Sequence, residues 1–373
     1  MRLSEQSFLS RFRQCIALVA IVGISPVVLA EQNQPTLQLA PAHVTLVGPV
    51  ARHRLLPLLQ AQQQVVGIAS SDITWTSSDE SVVTIDGTVL VPQGNGKAVV
   101  TATWNQQSAR CDVTVQAFTS PHTWNFRNHV QPILARYGCS MGACHGALAG
   151  KGGFKLSLRG YDALRDYYWI TRQARGRRIE LADPGRSLLL AKPTVAIPHK
   201  GGLRFDVDSK AYQVLSEWIS SGAPAPEEHD PQLRQLEVLP ARALLNPKDT
   251  CPLLVRAHYS DGRIEDVTNW AKYSTTNETV VKVDDSGGVQ VVGYGQGSLT
   301  IWFSQQIAVS TITVPYPNEG PDQWHEETPR RNFIDDLVLE KLAELRLPPS
   351  PRTSDAEFIR RVFIDTVGLL PTA

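Results

Sequence analysis

The sequence predicts a multidomain chain in which two all-β sandwiches flank a small, mainly α segment, with a C-terminal α-helical segment after them. Three observations predict it. Two stretches of β-patterned sequence repeat each other, the interval between them has helical periodicity broken by glycines, and 373 residues suffice for two or three separately buried cores.

The chain begins with a stretch that reads as a secretory signal over residues 1–30. Arg2, Arg11 and Arg13 precede an apolar run from Ile16 to Leu29, and Val28 and Ala30 take the -3 and -1 positions of a cleavage site. The run is short for a membrane span and is interrupted by Ser25 and Pro26. No membrane span is therefore expected after cleavage, and the mature chain is expected in the periplasm or at the cell surface. Removal of the leader takes Cys15 and leaves 33 basic and 35 acidic residues, a formal charge of -2. Such a near-neutral chain gives no reason to expect nucleic acid as a partner. Four cysteines remain, and in an oxidising compartment each needs a bond or burial.

The repeat sets the domain map, with the first copy in 31–118 and the second in 231–317. WTSSDESVVTID from Trp75 matches YSTTNETVVKVD from Tyr273 in size, polarity and β-branching, and GNGKAVVTATW from Gly94 matches GYGQGSLTIWF from Gly293. Short alternating strands separated by Gly, Asp, Asn and Ser turns give each copy a sandwich pattern. The copies resemble the group 2 bacterial immunoglobulin-like domain. That resemblance implies spacer or adhesive modules at a bacterial surface, with a cell-surface polymer or carbohydrate as partner. Cys111 and Cys251 fall in strands of different copies, where each reads as a small buried residue, a bridge between them being the other reading. Asp261 and Asp266 fit a hairpin turn, SDGRIED.

The interval 119–230 opens on a helical face of Phe126, Val130, Ile133 and Leu134 and turns glycine-rich from Gly138 to Gly153. It closes on Tyr212, Leu215, Trp218 and Ile219 at helical spacing, with Asp208 or Ser209 as cap and Gly222 and Pro224 as stop. Its chemistry sits in CSMGACH, Cys139 to His145. Two thiols able to add across vinyl groups, with an imidazole one residue later, are what covalent haem attachment requires. Four residues separate the cysteines here, where two are usual. The expectation is one covalent haem c on Cys139 and Cys144, with His145 as iron ligand. The only methionines are Met1 and Met141, so His199 is expected in the sixth position, with His129 second. Arg172, Arg175, Arg177 and Arg178 read as a solvated face, from which one, or Arg204, could pair with a propionate. A Cys139–Cys144 disulfide and a zinc site from Cys139, Cys144, His145 and His199 are the competing readings.

This interval resembles the planctomycete-type cytochrome c domain through CHG at Cys144, GGFKLSLRGYD at Gly152, DPGRSLL at Asp183, PHKGGLRF at Pro198 and LSEWISSGAP at Leu215. The resemblance implies a small, mainly α cytochrome c-like fold accompanied by immunoglobulin-like domains. It also implies a large C-terminal domain whose opening resembles 332–371. After a Pro-rich linker at 318–330, the segment 331–373 shows two amphipathic helices and reads as the start of that domain. Asn332 with Asp335 caps the first helix and Ser354 with Glu357 the second. The resulting functional expectation is an exported c-type haem protein that transfers electrons to an unknown redox partner. Its competitor is a cofactor-free surface adhesion or polysaccharide-binding protein with a Cys139–Cys144 disulfide. No catalytic constellation besides the haem motif is visible.

Overall fold

A computed structural model describes residues 34–318 and 328–372. The expected signal peptide and most of the expected linker lie outside the described residues.

The first repeat copy forms short strands around its own apolar core. Its four-stranded sheet runs His43–Val47, Gln107–Gln116, Gly96–Trp104, Thr74–Ser77, with the first pair parallel and the rest antiparallel. Alternation decides what is buried: Ala98, Val100 and Ala102 point inward from one strand and Cys111, Val113 and Val115 from its neighbour. The second copy repeats the device on Gly295–Phe303, where Leu299, Ile301 and Phe303 are buried.

The sequence match between the copies has a local physical basis. Asp79 accepts from the amide and hydroxyl of Ser81 at 2.9 and 2.6 Å, and Asn277 accepts from those of Thr279 at 3.2 and 2.6 Å. The same side-chain-to-backbone turn thus ends both copies' Trp75 and Tyr273 strands. Opposite each turn sits a glycine with no room for a side chain. A Cβ would lie 2.8 Å from the Ser81 carbonyl at Gly94 and 2.6 Å from the Thr279 carbonyl at Gly293.

The two copies pack directly on each other, although more than a hundred residues separate them in the chain. A seven-stranded sheet runs Thr36–Ala40, Leu56–Ala61, Gln64–Ile68, Arg242–Leu244, Gln306–Val314, Gly295–Phe303, Lys272–Thr275. The bridge is Val65 paired with Ala243. Leu56, Leu58 and Val65 consequently bury in the core of the second copy. Beside them the Arg54 amide donates to Asp266 at 2.8 Å and its guanidinium to the Leu253 carbonyl at 3.1 Å.

The interval between the copies holds four short helices: α1 (Gln131–Arg136), entered through a wide turn at Phe126–Val130, α2 (Ala163–Thr171), α3 (Leu188–Ala191) and α4 (Lys210–Ser220). Ser209 caps α4 by accepting from the Tyr212 amide at 3.2 Å. Phe126, Val130, Ile133, Ile170, Leu215 and Trp218 form a core separate from those of the sandwiches. The segment is pinned to the second sandwich by polar contacts. The Arg136 guanidinium donates to the Ala271 carbonyl at 2.5 Å, and His129 lies 3.5 Å from Glu265.

The structure is therefore mostly β-sheet, with few and short helices, as expected of the sandwiches. The finer expectation of a cytochrome c-like fold for the helical segment is not shown. At the C-terminal side, α5 (Phe333–Glu344) and α6 (Asp355–Val367) carry the expected capping boxes at Asn332 and Ser354. Phe358, Ile359, Val362 and Phe363 on α6 remain exposed. Among the described residues no helix is long and apolar enough to cross a membrane.

Candidate functional site

Cys139, Cys144, His145 and His199, the four residues singled out by the sequence, line one cavity of about 370 Å³. The loop that carries three of them starts where α1 ends, with the Cys139 amide donating to the Leu134 carbonyl at 2.9 Å. It is closed by the His145 amide on the Cys139 carbonyl at 3.0 Å, and by the Cys144 and Gly146 amides on the Met141 carbonyl, each at 2.9 Å. Gly146 is the tightest point, because a Cβ there would come within 2.1 Å of the Ser140 carbonyl oxygen. Gly146→Ala is expected to spring the loop at a cost of about 1–3 kcal/mol. Thermal unfolding would register the loss, and Cys144 should react faster with a thiol reagent than in the parent.

The imidazoles are oriented by backbone carbonyls. His145 Nδ1 lies 3.1 Å from the Phe154 carbonyl, which can only accept, so Nδ1 carries the proton and Nε2 is left as the bare nitrogen. His199 makes the same kind of bond to the Gly202 carbonyl at 3.2 Å. The two rings lie nearly parallel, 8° apart in plane, with centroids separated by 6.4 Å. Burial first, then the neighbouring His199, pushes the His145 pKa below its ordinary value, against the backbone hydrogen bond to Phe154.

Cys139 and Cys144 are both free thiols, so the Cys139–Cys144 disulfide of the competing reading is not formed here. Burial pushes the Cys139 thiol up to about 12, while half-buried Cys144 receives a long hydrogen bond from the Arg204 guanidinium at 3.6 Å.

The walls set the cavity's character. Leu134, Phe154, Leu189 and Pro193 make it apolar, and Lys151, Arg177, Arg178, Lys192, Lys200 and Arg204 bring six cationic side chains with no carboxylate among the lining residues. Arg178 is locked in place by donating to the carbonyls of Trp169, Gln173 and Gly153 at 2.8, 3.1 and 2.9 Å, with its guanidinium 4.5 Å from the Phe154 ring centre. Of the basic run, Arg177 and Arg178 line the cavity and Arg172 and Arg175 do not. Lys192 and Lys200 had no signal in the sequence beyond their closeness to His199.

His129, Cys111 and Cys251 lie outside the cavity. His129, second choice for the sixth position, accepts at Nδ1 from the Asn125 amide at 2.9 Å and faces Glu265, so it pins the helical segment and lies outside the cavity. Cys111 and Cys251 are buried in separate sandwich cores without a bridge, their thiols pushed up to about 12 by burial.

No protein-family model matches the chain, and no curated protein matches it. Among solved structures, domains 5-6 of the S-layer protein SbsC are 10% identical, with 76% of this chain and 100% of that one covered and a TM-score of 0.29. The Yersinia pseudotuberculosis adhesin InvE is 9% identical over 77% of this chain and 61% of its own, with a TM-score of 0.16. A C-terminal 282-residue fragment of intimin, solved with the intimin-binding domain of its translocated receptor, is 12% identical over 76% and 64%, with a TM-score of 0.17.

The expectation of one covalent haem c is corrected at this point. Among the described residues no group of three or more His, Cys, Asp and Glu side chains is placed to hold a metal ion. The same finding removes the zinc reading of Cys139, Cys144, His145 and His199. What the structure provides is a cavity with two free thiols, two carbonyl-tethered imidazoles and a cationic rim.

Proposed function

We propose that the chain is an exported cell-surface protein that acts without a cofactor, binding polysaccharide or mediating adhesion from a scaffold of two immunoglobulin-like sandwiches. The observation that carries this reading is the charge of the cavity: six cationic side chains and no carboxylate surround an apolar interior. A ligand that fits must bring negative charge for the rim and a non-polar face for the walls. Carboxylated sugars in a surface polymer have both. Charge-assisted hydrogen bonds from Arg204 and Lys200 would hold the carboxylate, and the low-dielectric walls strengthen them. The sheet shared by the two sandwiches supports the mechanical side of adhesion, since strands of both are hydrogen-bonded into one body.

Isothermal titration of the protein with polygalacturonate and with neutral dextran tests the proposal. The acidic polymer should bind, and its affinity should fall as salt screens the charges. The double variant Lys200→Ala/Arg204→Ala should weaken binding by about tenfold or more, the effect of losing one or two charged hydrogen bonds. No binding of either polymer would overturn the reading.

A further inference from the structure

A second groove lies where the helical segment meets the outer face of the second sandwich. It encloses about 250 Å³ and is lined by Trp270, Trp302, Arg136, Arg159, Lys272 and Met141, among others. The sheet explains why these side chains face it. Lys272 is the cross-strand partner of Trp302, and Tyr273, Ile301 and Phe303, the neighbours of that pair along the two strands, are buried in the core. With a two-residue period, Lys272, Ser274 and Trp302 must then point outward. The opposite wall comes from Pro132, Ala135 and Arg136 of α1.

The groove has more donors than its own residues satisfy. The Arg136 side chain is only 10% exposed; it donates to the Ala271 and Asp285 carbonyls and lies 3.7 Å from the exposed Asp285 carboxylate, yet its Nε has no protein partner. An orphaned buried N–H of this kind costs about 1–3 kcal/mol. The Lys272 ammonium is 3.6 Å from the thioether of Met141, a weak acceptor for a full charge. Arg159 holds its guanidinium 5.9 Å from the Trp302 ring centre from a backbone with φ of 57°, a left-handed conformation that side chains other than glycine seldom adopt. None of the residues lining the groove is acidic.

We infer that this groove is a subsite for one uronate ring of an acidic polysaccharide, the ring resting on Trp302 and its carboxylate taken by Lys272, Arg136 and Arg159. Weakly positive pyranose C–H groups suit the electron-rich face of an indole. The carboxylate gives Lys272 a far stronger acceptor than the Met141 thioether it now faces. The volume lies below the range of cavities that enclose drug-sized molecules, which matches one ring of a chain whose neighbours run on into solvent. The inference rests on the polysaccharide-binding reading and adds the site and the sugar class.

Titration with trigalacturonate and with its neutral methyl ester tests it on the full chain. The acid should bind and the ester bind at least tenfold more weakly. Trp302→Ala should lose tenfold or more, and Trp302→Phe less. Because Trp302→Ala could disturb its strand, Lys272→Gln serves as the second variant: a surface change that keeps the fold and should lose several-fold affinity for the acid alone. If polygalacturonate still binds the protein while Trp302→Phe and Lys272→Gln leave trigalacturonate affinity unchanged, the groove is not the site and the broader reading stands. If no acidic saccharide binds at all, both fall.

Discussion

Trp218→Ala is expected to destabilise the helical segment by about 3–5 kcal/mol, the range for removing a large aromatic from a close-packed core. Trp218 is fully buried on α4, with ring centres 5.5 Å from Phe126 and 6.4 Å from Tyr167, so it joins the turn before α1, α2 and α4 in one contact. Its indole N–H donates to the Pro224 carbonyl at 3.1 Å, which also fixes the chain leaving α4. Trp218→Phe keeps the aromatic packing and loses that bond, so about 1–2 kcal/mol is expected. The helical core is distinct from the cores of the sandwiches. Amide hydrogen exchange should therefore show protection lost from α1, α2 and α4 while Gly96–Trp104 and Gly295–Phe303 stay protected. Equal loss in both sandwiches would show that the three cores unfold together.

What could be read from the sequence was what short spacings encode. The two sandwich copies were visible because each needs a polar turn at Asp79 or Asn277 and a glycine against it at Gly94 or Gly293, requirements met within some twenty residues. The sheet that joins the copies was not visible: Val65 and Ala243 pair across the whole helical segment, and a two-residue period tells which face is buried but not which strand lies alongside. The same contrast holds at the site. Cys139, Cys144 and His145 lie on one loop closed by its own hydrogen bonds, so their closeness is local in the sequence, and His199 lines the same cavity. Spacing says that thiols and imidazoles meet; it does not say what occupies the space between them, and the haem assignment went beyond that. His129 lies apart from the cavity because Glu265 reaches it from the second sandwich, a contact that no local spacing encodes.

Asp166→Ala is expected to be the other severe change, costing about 3 kcal/mol or more. The Asp166 carboxylate is buried on α2 and accepts from the Ser157 amide at 2.5 Å, the Ser157 hydroxyl at 2.7 Å and the Gln131 side-chain amide at 2.8 Å. It thus ties α1 and α2 to the strand-like stretch that follows the cysteine loop, and truncation would strand three donors where water does not reach. Burial raises the Asp166 pKa above its ordinary 3.8, and the hydrogen bonds from Ser157 and Gln131 only partly offset it. The folded state therefore holds this proton more tightly than the unfolded chain. The associated stabilisation is complete below 3.8 and is lost as pH rises through the raised value. Asp166→Asn removes that proton, so the stability of the parent relative to Asp166→Asn should fall as pH increases across this window. Denaturant unfolding of both proteins at a series of acidic pH values checks the sign, and a carboxyl-carbon NMR titration of Asp166 should show its midpoint above 3.8. A stability difference that instead grows with pH would mean that the hydrogen bonds to the ionised carboxylate outweigh its burial, and that Asp166 acts as a charged anchor.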